Sequence, residues 1–178
     1  GGEPLVRKDI RDILRYIDGK NIECELFTNG FLLDEEYCEF LNDVHVSKMR
    51  ISLDGKDAET HDTFRNKKGS FNKVINAIKK LKELNIPIEI NSVVHRGNIN
   101  DVKGLCDFFE KELEVKHKLD FVAKIGNAKE NYNAISVDID EYCEGVYPYV
   151  KDIVQREKGC KSKNVHYCGI GNTFVYIT

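Results

Sequence analysis

Apolar positions along the chain follow two alternating rhythms. Ile10, Ile13, Leu14 and Ile17 fall three and four apart, the spacing of one helical face, and Gly19 follows as a stop. Ile22–Phe27 is short and apolar-rich, and Thr28-Asn29-Gly30 ends it with a turn signal, which predicts a first strand. Asp34 stands where an N-cap belongs, before a short helix with Tyr37, Phe40 and Leu41 on its apolar side. Met49–Leu53 reads as the second strand, ended by Asp54-Gly55, and a polar loop is expected from Lys56 to Gly69. Ser70 is then expected to cap a strong helix with Phe71, Val74, Ile75, Ile78, Leu81 and Leu84 on one face. Pro87–Val94 reads as the third strand, and Val102, Leu105, Phe109 and Leu113 as the next helical stripe. Leu119–Ile125 is predicted as the fourth strand. Ile139 to Val154 is predicted as a long amphipathic helix bent near Pro148, and Phe174–Ile177 as the start of another strand.

Helices alternating with strands at these spacings imply βαβ units, a parallel sheet and the α/β class. Periodicity leaves two architectures open, a (βα) barrel and an open doubly wound sheet. Both place ligands at the C-terminal ends of the strands. Thr28-Asn29-Gly30, Ser52-Leu53-Asp54-Gly55 and His95-Arg96-Gly97-Asn98 all fall at such ends.

Composition narrows the function classes. Charged residues make up 32% of the chain, with a net charge of -3 and both signs interspersed, so no basic excess points to nucleic acid. No apolar run reaches the length of a membrane span. Six cysteines are scattered without a CxxC pair, which suits a reducing cytoplasm better than a disulfide framework. Cys24, Cys38, Cys106 and Cys143 fall on strand or helix patterns and read as core residues, and the five histidines show no metal spacing. Met49 is the sole methionine, and the chain runs from Gly1-Gly2 to Tyr176-Ile177-Thr178 inside an apolar stretch. The expectation is an internal piece of a longer protein.

Gly1-Gly2-Glu3-Pro4 resembles the GGEP motif of radical S-adenosylmethionine (SAM) enzymes. Thr28-Asn29-Gly30 resembles the TNG at the end of that family's next strand. Ser52-Leu53-Asp54-Gly55, His61-Asp62, Phe64-Arg65 and Gly69-Ser70-Phe71 resemble the run SLDG…HD.FR…GSF of the subfamily that carries a C-terminal SPASM auxiliary-cluster domain. Ile90-Asn91-Ser92-Val93-Val94 with Asn98 resembles the following strand and loop, and Cys168-Gly169-Ile170-Gly171 with Phe174–Ile177 resembles the SPASM entry. Nearly the whole chain is covered, and the specificity lies in the order of the five matches.

The resemblance implies strands three to six of a six-stranded parallel half-barrel of radical SAM type. Residues 1–157 would be the partial barrel and 158–178 the start of a SPASM or twitch region. It implies SAM contacts from Gly2, Glu3, Ser52, Arg65 and Asn91, adenine contact near Ile125, and an auxiliary-cluster ligand in Cys168. Asp54 is read as a turn-capping residue. The family's CxxxCxxC loop, which binds the [4Fe–4S] cluster, does not occur in these 178 residues, so the chain alone is expected to hold no cluster and to be inactive. The implied activity of the parent is reductive cleavage of SAM to a 5′-deoxyadenosyl radical that modifies a peptide or protein. A flavodoxin-like nucleotide-binding module and a degenerate peptide-binding scaffold are the alternatives. Self-association is also expected, through the free edge of Ile22–Phe27, through exposed apolar side chains on the inner face, or by exchange of Phe174–Ile177.

Overall fold

The computed structural model describes residues 2–124, 128–142 and 144–146. A short 3₁₀ turn, Pro4–Val6, precedes α1 (Ile10–Asp18). Then follow β1 (Glu25–Thr28), α2 (Glu35–Asp43), β2 (Lys48–Ser52), α3 (Ala58–Arg65), α4 (Ser70–Glu83) and β3 (Ile88–Val94). A 3₁₀ turn (Ile99–Asp101) leads into α5 (Val102–Asp107) and a π-helical turn (Phe108–Glu112). β4 (Lys116–Phe121) and α6 (Ala128–Ile135) complete the sequence of elements. Residues 139–142 and 144–146 are helical, the start of the predicted long helix. Its remainder, Ile125, Cys168 and the strand expected at Phe174–Ile177 lie outside the described residues.

The four strands are parallel and neighbour one another in chain order, β1-β2-β3-β4. Their alternation separates two faces. Leu26, Met49, Ile51, Ile88, Ile90, Val94 and Leu119 are buried on one face. They share a core with Leu14, Leu41, Val74, Ile78, Leu81, Leu105 and Phe109 from the helices. The opposite face is polar and is built in layers set by the register. Glu25 pairs with Lys48. Arg50 lies beside Glu89, and Glu89 beside Lys116. Ser52 lies beside Asn91, and Asn91 beside Lys118. Of the exposed apolar side chains expected there, Phe27 is present, and most of the face is charged. Arg50 binds both Glu25 (2.9 Å) and Glu89, and Lys48 lies 3.2 Å from Glu25, so a four-residue ion network covers the lower part of this face. Phe27 is its exposed aromatic, with the Arg50 guanidinium over its ring.

The helix-to-strand connections repeat one device. Asn21, His45, Asn85 and Glu114 each sit at positive φ just past a helix, and each is followed by an apolar residue: Ile22, Val46, Ile86 and Val115. The amides of Ile22, Val46 and Ile86 reach back to the carbonyls of Ile17, Leu41 and Leu81, closing the helix ends in the Schellman manner. This turns the chain sharply into each strand and keeps the strands short.

Several boundaries differ from the sequence reading. β1 begins at Glu25, and the fourth strand is Lys116–Phe121 rather than Leu119–Ile125. Lys116 and Lys118 project from the polar face of the sheet, where a lysine costs nothing, so low hydrophobicity hid the strand start. The expected polar loop between Lys56 and Gly69 contains α3, capped by the Asp57 carboxylate on the Thr60 amide at 2.8 Å. Ser70 is the first residue of α4 rather than its cap. Gly69 occupies the cap position, and the Asp62 carboxylate binds the amides of Gly69 (2.6 Å) and Phe71 (2.8 Å) in place of a cap side chain. α6 was not anticipated, because its surface is polar and none of its residues is buried.

Candidate functional site at the strand ends

Glu3 joins the first two sequence motifs into one structure. Its carboxylate accepts hydrogen bonds from the Leu5 amide (3.1 Å), the Thr28 hydroxyl (2.6 Å) and the Asn29 amide (2.6 Å). Thr28 Oγ1 in turn accepts from the Gly30 amide at 3.0 Å. Gly30 has φ +74°, and a Cβ there would stand 3.0 Å from Val74 Cγ2 and 3.2 Å from Ile51 Cγ2. The Thr-Asn-Gly turn is therefore pinned by Glu3 from outside and closed by a glycine that no other residue replaces without strain. Gly2 is exposed with open space around it.

The second motif run folds into a buried polar knot below the rim. Asp54 is fully buried, in place of the turn-capping position read from sequence. Its Oδ2 accepts from Arg65 Nε at 2.5 Å, and its Oδ1 accepts from the Val93 amide at 2.9 Å. Its own amide donates to His61 Nδ1 at 3.1 Å. That bond makes Nδ1 the acceptor, so His61 Nε2 carries the proton and faces Ser70 Oγ at 3.2 Å. Burial pushes the His61 pKa down, against the opposing pull of the Asp54 charge. Asn98 donates from Nδ2 to the carbonyls of Asp54 and Val93, both at 2.9 Å. His95 stacks on Phe64 at 3.8 Å and 7°. At Gly55 a Cβ would stand 2.7 Å from the His61 amide nitrogen, so glycine there lets α3 press against the end of β2.

Most of the motif residues in this run thus hold the rim together, and a few face outward from it. Ser52 and Asn91 are register partners on the polar face, one position below the rim. Asn91 Oδ1 is buried and has no hydrogen-bond partner among the described residues. A buried acceptor left bare is costly, and it marks a place where a donor from a ligand fits. Arg65 uses Nε on Asp54 and lines a cleft of ≈ 360 Å³ together with Glu3, Asn29, Asn66, Lys67 and Ser70. The structure therefore brings Ser52 and Asn91 together, sets Arg65 on the flank of the same rim, and commits the Glu3 carboxylate to the Thr28-Asn29 turn. The sequence reading missed the buried roles of Asp54, His61 and Asn98. The available signal was the clustering of acid, histidine and asparagine at consecutive strand ends.

A parallel sheet ordered in sequence, with helices on one face and a polar face ending in a knotted rim, defines a partial (βα) barrel, an architecture whose ligand sites lie at the C-terminal strand ends. Residues 1–109 match the radical SAM superfamily, and the chain belongs to that superfamily. The chain is 30% identical over 152 residues to an AdoMet-dependent heme synthase of Methanosarcina barkeri, covering 85% of this chain and 44% of that protein. It is 28% identical over 141 residues to the sporulation killing factor maturation protein SkfB of Bacillus subtilis, covering 79% of this chain and 34% of that protein. The fold matches Streptococcus suis SuiB bound to S-adenosylmethionine with a TM-score of 0.67 at 20% identity, over 88% of this chain and 34% of SuiB. The chain thus spans less than half the length of these proteins. The flavodoxin-like alternative is set aside by the family match and by the strand order.

The family implies two groups. SAM fits the residues present, because Asn91 offers a buried, unengaged acceptor beside Ser52 while SAM carries an ammonium and ribose hydroxyls. An iron–sulfur cluster does not fit the described residues. No three His, Cys, Asp or Glu side chains converge among them. Cys38 and Cys106 are buried in the core, where burial pushes each thiol up to about 11. Thiols held neutral in this way are poor ligands.

Proposed function

We propose that the protein containing this chain is a radical SAM enzyme that modifies a peptide or protein substrate. In this reading Ser52, Asn91 and Arg65 hold SAM on the polar face and its rim, with Gly2 and Glu3 closing the edge. Ile125 meets the adenine, and Cys168 is an auxiliary-cluster ligand. Residues 1–157 form the barrel part and residues 158–178 begin a SPASM or twitch region. In the whole protein, one electron from a [4Fe–4S] cluster held outside the described residues would cleave SAM to methionine and a 5′-deoxyadenosyl radical, which would take a hydrogen atom from the substrate. The contribution of this chain is to bind and orient SAM and to keep water from the reacting groups.

The observation that carries the reading is the bare Asn91 acceptor beside Ser52 in a chain of this superfamily. Similarity to the maturation protein SkfB supports a peptide substrate. No helix among the described residues is long and apolar enough to cross a membrane, and a cytoplasmic setting belongs to the same proposal.

Anaerobic reconstitution of the whole protein with iron and sulfide, followed by reduction in the presence of SAM, tests this. The expected outcome is 5′-deoxyadenosine from the whole protein and none from the 178-residue chain. A reconstituted whole protein that yields no 5′-deoxyadenosine contradicts the proposal.

A further inference from the structure

The β2–β3 ladder continues one step past the end of β2, and a side chain carries it. Within the ladder, the Leu53 amide donates to the Asn91 carbonyl at 3.2 Å. One step on, β2 has turned away toward Gly55, and the Val93 amide donates instead to Asp54 Oδ1 at 2.9 Å. The Asp54 carbonyl and the Val93 carbonyl are then bridged by the two Nδ2 protons of Asn98. The second carboxylate oxygen goes to Arg65 Nε. Every polar group of Asp54 is engaged: the amide by His61, the carbonyl by Asn98, and the two carboxylate oxygens by β3 and α3.

We propose that Asp54 is a positioning residue for the cofactor pocket, fixing Ser52, Asn91 and Arg65 in one geometry through a single buried carboxylate. The inference rests on the assignment of those three residues to SAM. Ser52 lies two residues before Asp54 on β2, Asn91 two residues before Val93 on β3, and Arg65 is held by the carboxylate itself. Asp54 therefore couples the three side chains across two strands and a helix. A buried ion pair is a weak source of stability, since desolvation offsets most of the attraction, but it fixes geometry well when each carboxylate oxygen has a donor. Here each has one.

The test uses the whole protein with its cluster. Asp54→Asn keeps an acceptor for Val93 but removes the charge that aims Arg65. The expected result is a KM for SAM raised about tenfold with kcat for SAM cleavage changed less than about twofold, the signature of lost binding geometry. Asp54→Asn combined with Arg65→Gln raises KM no further than Arg65→Gln alone, because the two act through one contact. Hydrogen exchange gives a readout independent of activity: the Val93 amide stays protected in Asp54→Asn and loses protection in Asp54→Ala. If Asp54→Asn does not fold, Asn98→Ser loosens the same strand ends and raises KM in the same direction. A wild-type protein that neither binds nor cleaves SAM removes the assignment of the pocket. A wild-type protein that cleaves SAM, with KM unchanged in the folded variants, overturns the positioning role alone.

Discussion

Three histidines with shielded side chains make the stability of the chain depend on pH. Burial lowers the pKa of His61, His95 and His117 below the ordinary value of 6.5. The unfolded chain then binds more protons than the folded one between the folded values and 6.5, so stability is fully present above 6.5 and is lost as pH falls below it. Thermal melting from pH 7 to pH 5 is expected to show a falling midpoint. His117 packs against Phe109 and its Nε2 has no partner among the described residues, so His117→Phe is expected to flatten part of that slope. An unaltered slope would show that His117 does not titrate with folding. Gly30→Ala places a Cβ at φ +74° against Val74 and Ile51, and is expected to destabilise by about 2 kcal/mol in denaturant titration. A value near zero would show that the turn relaxes freely. Residue roles were the least legible part of the sequence. Asp54-Gly55 carries the letters of a turn, and nothing in letter order tells a solvated aspartate from one that is fully buried between two strands and an arginine. Asn91 was legible as a site candidate because a polar residue interrupts an apolar strand pattern, and the structure places its acceptor bare on the polar face.

At the scale of elements, the alternation of helices and parallel strands was legible because α1, α2, α4 and α5 bury apolar positions at helical spacing and each strand has a buried face. α3 and α6 were not, since polar surface helices carry little periodic signal; α3 is marked instead by the Asp57 cap. The repeated Asn, His or Glu at positive φ before an apolar residue is a usable signal for the start of each strand, and it was overlooked. Among the described residues the sheet ends at β1 on one side and β4 on the other. Glu3 and the Pro4–Val6 turn engage the C-terminal tip of β1, at Thr28 and Asn29. We propose that two copies of the 178-residue chain pair through the β1 edge, with Phe27 covered in the dimer, because an unpaired strand edge is a template for another strand. Sedimentation over a concentration series is expected to show a monomer–dimer equilibrium. A monomer throughout, with the amides of β1 exchanging freely, would show that the edge is tolerated.

For the whole molecule, the motifs that identify the superfamily divide into a supporting frame and a small working set. Glu3, Thr28, Gly30, Asp54, Gly55, His61, Asp62, Arg65 and Asn98 hold the strand ends to one another, and Arg65 also reaches the cleft. Ser52 and Asn91, with its bare Oδ1 acceptor, lie side by side on the inner face. The central claim is that this pair binds SAM, and Asn91→Leu tests it with two readouts of opposite sense. Removing a buried acceptor that has no partner relieves a desolvation cost, so the melting temperature of the SAM-free whole protein is expected to hold or rise. The same change removes a hydrogen bond to a charged or polar group of SAM, worth about 1.5 kcal/mol or more, so the dissociation constant for SAM in the reconstituted protein is expected to rise about tenfold or more. An unchanged SAM affinity in a folded Asn91→Leu protein would contradict the account.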